Sequence, residues 1–132
     1  MTERTFQTKF TKWAKHNWHT NAAFELKLVK GASFPFSAIR EHQWLCLKNA
    51  KHRNLVHKIA DGGFSQTPFD CFVLSGSQAY FAIMFYTPRK SEFFLIDVDV
   101  MERLKIDTEA KGFKSCSEDT IRIHADHVCI LK

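Results

Sequence analysis

Glu25 and Lys27 stand two residues apart in the run Phe24-Glu25-Leu26-Lys27-Leu28. On an extended strand that spacing turns both side chains to one face and gives Phe24, Leu26 and Leu28 the other. A carboxylate so placed can hold a hard divalent cation such as Mg²⁺ or Mn²⁺ through oxygen. An ammonium beside it can orient or help deprotonate a water and offset charge on a five-coordinate phosphorus. The pair therefore suits phosphodiester hydrolysis. Ordinary edge strands also alternate solvent-facing Glu and Lys, so the triplet needs support from its surroundings.

The elements that must position it follow from periodicity. Phe6, Phe10 and Trp13 recur at helical spacing between Thr2 and about Trp18, with Arg4, Lys9, Lys12 and Lys15 on the other faces. His19-Thr20-Asn21 interrupts, and Ala22 to Val29 alternates as a strand. Pro35 keeps Phe34 extended in the loop that follows. Ser37 is the expected N-cap of a second helix reaching about Lys51. Asn54 to Ala60 reads as a strand ended by Asp61-Gly62-Gly63. Asp70 to Leu74, Ala79 to Tyr86 and Phe93 to Val98 are three more. Ser75-Gly76-Ser77-Gln78 is expected to close the first two as a hairpin and Thr87-Pro88-Arg89-Lys90 the next two. A helical turn at Val100 to Leu104, a polar loop from Lys105 to Glu118 and an edge strand from Thr120 to Ile130 complete the pattern. This predicts one α/β domain with a mixed central sheet flanked by helices.

At 132 residues, with 45% hydrophobic and 25% charged residues, the chain has the size and balance of one globular domain. Thirteen Phe and three Trp predict an aromatic core. The formal charge of +5 is uneven, with eleven Lys and Arg before Asp61 against only Glu3, Glu25 and Glu41. A basic half suits a polyanion, nucleic acid first, although a solvated lysine-rich surface would look the same. Lys9, Lys12, Lys15, Lys30, Lys48, Lys51 and Arg53, with His16 and His52, form the expected phosphate-contacting set. These contacts would position a duplex without reading its sequence. Trp18 and Trp44 are expected to be buried aromatics rather than wedges at a branch. The four cysteines show no CxxC spacing, and the first residues form no apolar leader, so reduced thiols in a cytoplasmic protein are expected. No apolar run reaches the roughly 20 residues of a membrane helix. Cys116, His124, His127 and Cys129 have zinc-ligand chemistry, but their spacing fits no familiar site. A Cys71–His57 nucleophile pair can also be drawn, though Cys71 sits in an apolar strand.

The order of three motifs adds a family resemblance. Phe24-Glu25-Leu26-Lys27, then Ser33-Phe34-Pro35-Phe36, then Glu41-His42-Gln43 resembles the core of RecU-type Holliday junction resolvases, a branch of the PD-(D/E)XK nuclease superfamily. Ile59-Ala60-Asp61-Gly62-Gly63-Phe64 and Pro68-Phe69-Asp70-Cys71-Phe72 look like segments of resolvase-like proteins of bacteriophage type. The resemblance implies a restriction-endonuclease-like core and a Mg²⁺- or Mn²⁺-dependent endonuclease acting on branched DNA as a homodimer. It makes Glu25 a metal ligand and Lys27 the catalytic lysine, and turns Gln43 toward the metal. The superfamily's helix-one acid corresponds by position to Glu3, which is expected to be merely solvated. One departure is plain. The superfamily carries an aspartate on the strand before its E-x-K strand, and this chain has no Asp before Asp61. Asp70, at the head of the expected hairpin with Gln78 to Ile83, is the substitute ligand expected, with Asp61 the alternative. Failing either, the chain would be a catalytically degenerate module that binds DNA or protein.

Overall fold

Two apolar surfaces organise the chain, one on each face of a four-stranded sheet. The computed structural model describes residues 1–58 and 71–131. In chain order the elements are α1 (Glu3–Asn17), β1 (Ala22–Val29), β2 (Ser33–Pro35), a 3₁₀ turn (Phe36–Ala38), α2 (Glu41–His52), β3 (Asn54–Lys58) and β4 (Cys71–Ser75). Then come β5 (Gln78–Phe85), β6 (Glu92–Asp97), α3 (Val98–Ala110), β7 (Ser115–Ser117), α4 (Glu118–His124) and β8 (His127–Ile130).

The main sheet has the order β1-β5-β6-β8. β1 runs parallel to β5, with Glu25 opposite Phe81 and Lys27 opposite Ile83. β6 is antiparallel to β5, and β8 to β6. The α/β class with a mixed sheet flanked by helices is therefore as expected. A parallel step needs a crossover, and α2 lies within it. β5 is buried along both faces from Ala79 to Phe85, which suits a central strand covered by helices on both sides.

α1 starts where the Thr2 hydroxyl accepts from the Thr5 N–H at 3.2 Å. Phe6 and Phe10, one turn apart, then bury against Tyr80, Met84, Phe93 and Leu95 on one face of the sheet. The rings lock edge to face: Phe10 lies 4.9 Å from Phe24 and Trp13 lies 5.0 Å from Phe93. Each buried Phe contributes on the order of 2–3 kcal/mol. Leu47 and Ala50 of α2, Met101 and Leu104 of α3 and Ile121 of α4 cover the opposite face, over Phe81, Ile83, Phe94 and Ile96.

Four expectations fail for identifiable reasons. β4 does not form a hairpin with β5. It pairs with β3, Asn54 opposite Ser75, because both edges of β5 are taken by β1 and β6. Gly76, at φ +60°, makes the turn that sends the chain from one ladder into the other. Ser37 is not a helix cap. It lies in the 3₁₀ turn, and α2 begins after Arg40, whose backbone N–H donates to the Gln43 side chain. Residues expected to be loop after Leu104 continue α3 to Ala110, since Asp97 caps it through Asp99 N–H and its polar end faces solvent. Gly112, at φ +89°, follows that end. The expected edge strand from Thr120 is instead α4, capped by Ser117, followed by the shorter β8. The stretch expected as strand beyond Lys58 lies outside the described residues.

Candidate functional site

β1 forms one edge of the sheet, and α1 and α2 cover its two faces. Phe24, Leu26 and Leu28 pack toward α1, while Ala23 and Val29 pack toward α2, so Glu25 and Lys27 also face α2. Across from them stands Gln43 in the first turn of α2. Its amide is engaged at both ends. Lys27 Nζ and the Arg40 backbone N–H each donate to Gln43 Oε1 at 2.9 Å, and Gln43 Nε2 donates to Glu25 Oε1 at 2.8 Å. Reversing the amide would set an NH₂ against two donors, so these partners fix its orientation. Lys27 Nζ also lies 3.5 Å from Glu25 Oε1.

An ammonium is rarely buried without partners, because leaving water costs several kcal/mol. Lys27 is only 9% exposed, and Gln43 and Glu25 compensate its charge. The Glu25 side chain keeps 30% of its surface. Among the described residues nothing hydrogen-bonds to its second oxygen, Oε2. One carboxylate oxygen is thus held toward the lysine, and no described residue bonds to the other.

Glu25, Lys27 and Gln43 line an open cleft of about 630 Å³ together with Glu3, Arg4 and Gln7 of α1. A second cleft of about 530 Å³ shares Glu3, Lys27 and Gln43 and continues past Lys30 and Arg40. Glu3, expected to be merely solvated, is exposed but lines both clefts.

The remaining sequence candidates divide. Lys9, Lys12, Lys15 and Arg53 are exposed, the first three along α1, and Lys30 borders the second cleft. Lys48 is paired with Glu102 at 2.6 Å, and Lys51 with Asp97 and Asp99 at 2.7 Å each. Those two lysines tie α2 to α3 and to the end of β6, so they do not offer free charge to phosphate. Burial pulls the Lys51 pKa down, but its hydrogen bonds to the two aspartates outweigh that and raise it. For Asp99, burial pushes the carboxyl up, yet Lys51 and His52 draw it below the ordinary carboxylate range. His52 Nε2 lies 2.7 Å from Asp99 Oδ2. Asp61 and Asp70 lie outside the described residues. β4, which follows Asp70, is not a neighbour of β1 in the main sheet.

Trp18 packs among Phe24, Tyr80 and His127, and Trp44 packs 4.9 Å from Phe81; both pack against the core, but they are half-buried where full burial was expected. The zinc-like set is divided by the sheet. Cys116 is buried in the α2–α3 core, whereas Cys129 packs toward α1 and His127 contacts Trp18 and Tyr80. Among the described residues no three Cys, His, Asp or Glu side chains converge as a metal cluster. Cys71 sits opposite Lys58 rather than His57. Sequence reasoning did not assign Arg4, Gln7 or Arg40 to the site. Their only advance signal was position, in the first turns of α1 and just ahead of α2. Among the described residues no helix is long and apolar enough to cross a membrane. No protein family, no curated protein and no solved structure matches this chain.

Proposed function

We propose that this chain is a metal-dependent phosphodiesterase of the restriction-endonuclease-like type, acting as an endonuclease on branched DNA. One observation carries the reading: an almost fully buried ammonium, fixed by an amide, beside a half-exposed carboxylate at the mouth of an open cleft. A structural ion pair gains little from such an arrangement, because desolvation offsets most of the attraction. A reaction that gathers charge on phosphorus gains a preorganised cation.

Glu25 would hold Mg²⁺ or Mn²⁺ through Oε2, with Glu3 the second carboxylate in the same cleft. Two carboxylates with waters match the way proteins hold Mg²⁺, so the donor set fits. The metal would supply a water of lowered pKa and polarise the phosphoryl oxygens. Lys27 would hold a phosphoryl oxygen or the attacking water, and Gln43 would keep Lys27 and Glu25 in register. The order of parts supports the superfamily reading, with α1 and Glu3 before the E-x-K strand and α2 with Gln43 after it. A junction presents two strands to be cut, so the same reading includes a symmetric homodimer.

A second reading also has an observation behind it. β1 is the outermost strand of its sheet, so no described strand stands where the superfamily carries its aspartate. That favours a nuclease fold that binds DNA without cutting it. Incubating a labelled four-way junction and a linear duplex with wild type and Glu25→Gln, in Mg²⁺ or Mn²⁺, separates the two. Paired nicks in the junction, lost in the variant, support the enzyme. Binding without cleavage supports the second reading, and equal cleavage by both proteins overturns the assignment of Glu25.

A further inference from the structure

The two clefts share Glu3, Lys27 and Gln43, so they abut across the edge of β1. Four cations and two carboxylates line the combined groove: Arg4, Lys27, Lys30 and Arg40 against Glu3 and Glu25. Arg4 lines only the first cleft, and Lys30 and Arg40 only the second, so the buried ammonium lies between them. Arg4, Lys30 and Arg40 are exposed, and among the described residues none of them forms an ion pair. Lys48 and Lys51, in contrast, are held by acids.

We infer that this groove is a track for a nucleic-acid backbone, in which Arg4 at one end and Arg40 with Lys30 at the other bind the phosphates flanking the one held at Lys27. The inference rests on the nuclease reading and names its substrate-positioning residues. A guanidinium presents a planar fork that meets two phosphate oxygens at once, which a lysine cannot do. Arg40 is placed for this by its own backbone, whose N–H is tied to Gln43, so the outer contact and the central amide share an anchor. Among the described residues the groove offers arginine, lysine and glutamine, and its two phenylalanines, half-buried Phe24 and buried Phe34, pack into the core rather than present a face on which bases could stack. Recognition should therefore follow the backbone and be indifferent to sequence.

The test is fluorescence anisotropy of a labelled four-way junction, in Ca²⁺ to suppress cleavage, across a series of salt concentrations. Wild type is compared with Arg4→Ala, Arg40→Ala, the double variant, and Lys48→Ala as a loss of the same charge outside the groove. Parallel cleavage assays run in Mg²⁺. Each arginine variant should bind about fivefold more weakly. Each should also lower the slope of log affinity against log salt by about 0.9, and the double variant by about twice that. These losses should be the same for junctions of unrelated sequence, and Lys48→Ala should keep the wild-type slope. Arg4→Lys should restore the slope while recovering only part of the affinity. Wild-type slopes in both arginine variants, with cleavage intact, would overturn the groove and leave the nuclease reading standing. A wild type that neither binds nor cuts at low salt would sink both.

Discussion

The Gln43 amide is the joint between strand and helix, and Gln43→Leu removes it with little change in volume. Two of its bonds are to charged groups, Lys27 at 2.9 Å and Glu25 at 2.8 Å, and the third is to the Arg40 N–H. Bonds to charged partners contribute roughly 1.5–3 kcal/mol each, and a neutral one about 1 kcal/mol. Glu25 keeps 30% of its side-chain surface and Arg40 is exposed, so water replaces most of what they lose. Lys27, 9% exposed, has little access to water, and its loss dominates. The expected cost is therefore about 2–3 kcal/mol, which for a domain of this size lowers Tm by roughly 6–10 °C. Urea unfolding followed by circular dichroism measures it, and the m-value should not change, because the surface exposed is the same. Repeating the substitution in a Lys27→Met background isolates the pair. There the cost should fall to about 1 kcal/mol, a coupling of roughly 1–2 kcal/mol. An equal cost in both backgrounds would show that the amide does not support the lysine, and the site as drawn would be wrong.

Other consequences are quickly checked. Glu92 and Asp99 both have lowered carboxyl pKa values, Glu92 through its hydrogen bond to Arg122 and Asp99 through Lys51 and His52 against the opposing effect of burial. A carboxyl lowered on folding adds stability above its unfolded pKa of about 4, and that stability disappears as pH falls through the folded value. Melting temperature should thus fall below about pH 4, and Glu92→Gln should flatten that limb; an unaltered acid limb would contradict the pairing. At the alkaline end, burial raises the Tyr80 pKa, and the aspartates raise that of Lys51 against burial. Both contributions are complete below about pH 10 and are lost as pH rises beyond it, so Lys51→Met should be less sensitive between pH 9 and 11. Burial pushes the Cys116 thiol up to about 11, whereas Cys46 is exposed. Iodoacetamide at pH 8 should label Cys46 well before Cys116 by peptide mass mapping, and the reverse order would contradict the packing of β7.

Much of this was legible because local rules and global packing agreed. Alternation in Ala22 to Val29 put Glu25 and Lys27 on one face, and the structure keeps them there with Gln43 opposite. The Phe6–Phe10 pair gave α1 and its buried side. The failures have a common physical origin. Ser75-Gly76-Ser77-Gln78 is good turn chemistry, but a turn does not choose which strands pair, and β5 required both of its edges for other partners. The end of α3 carried no apolar stripe because Ile106, Asp107, Glu109 and Ala110 are exposed, although Lys105 and Glu109 pair along it at 2.8 Å. Charge counting could not separate Lys48 and Lys51 from Lys30, since their acidic partners lie more than forty residues away in the chain. Glu3, Arg4 and Arg40 gain meaning only when α1 and α2 close over the edge of β1.

The central claim is that Lys27 is buried for chemistry rather than for stability. Lys27→Met tests it most directly, because methionine keeps the length and burial while Glu25 stays on Gln43. Removing one member of a buried ion pair costs most when the other stays buried, and Glu25 keeps 30% of its side-chain surface and its bond to Gln43, so the loss should be small. The variant should stay folded and melt within a few degrees of wild type, bind the four-way junction only about fivefold more weakly, and cut it in Mg²⁺ at least about a hundredfold more slowly under single-turnover conditions. A folded Lys27→Met protein that cuts at close to the wild-type rate would contradict the account.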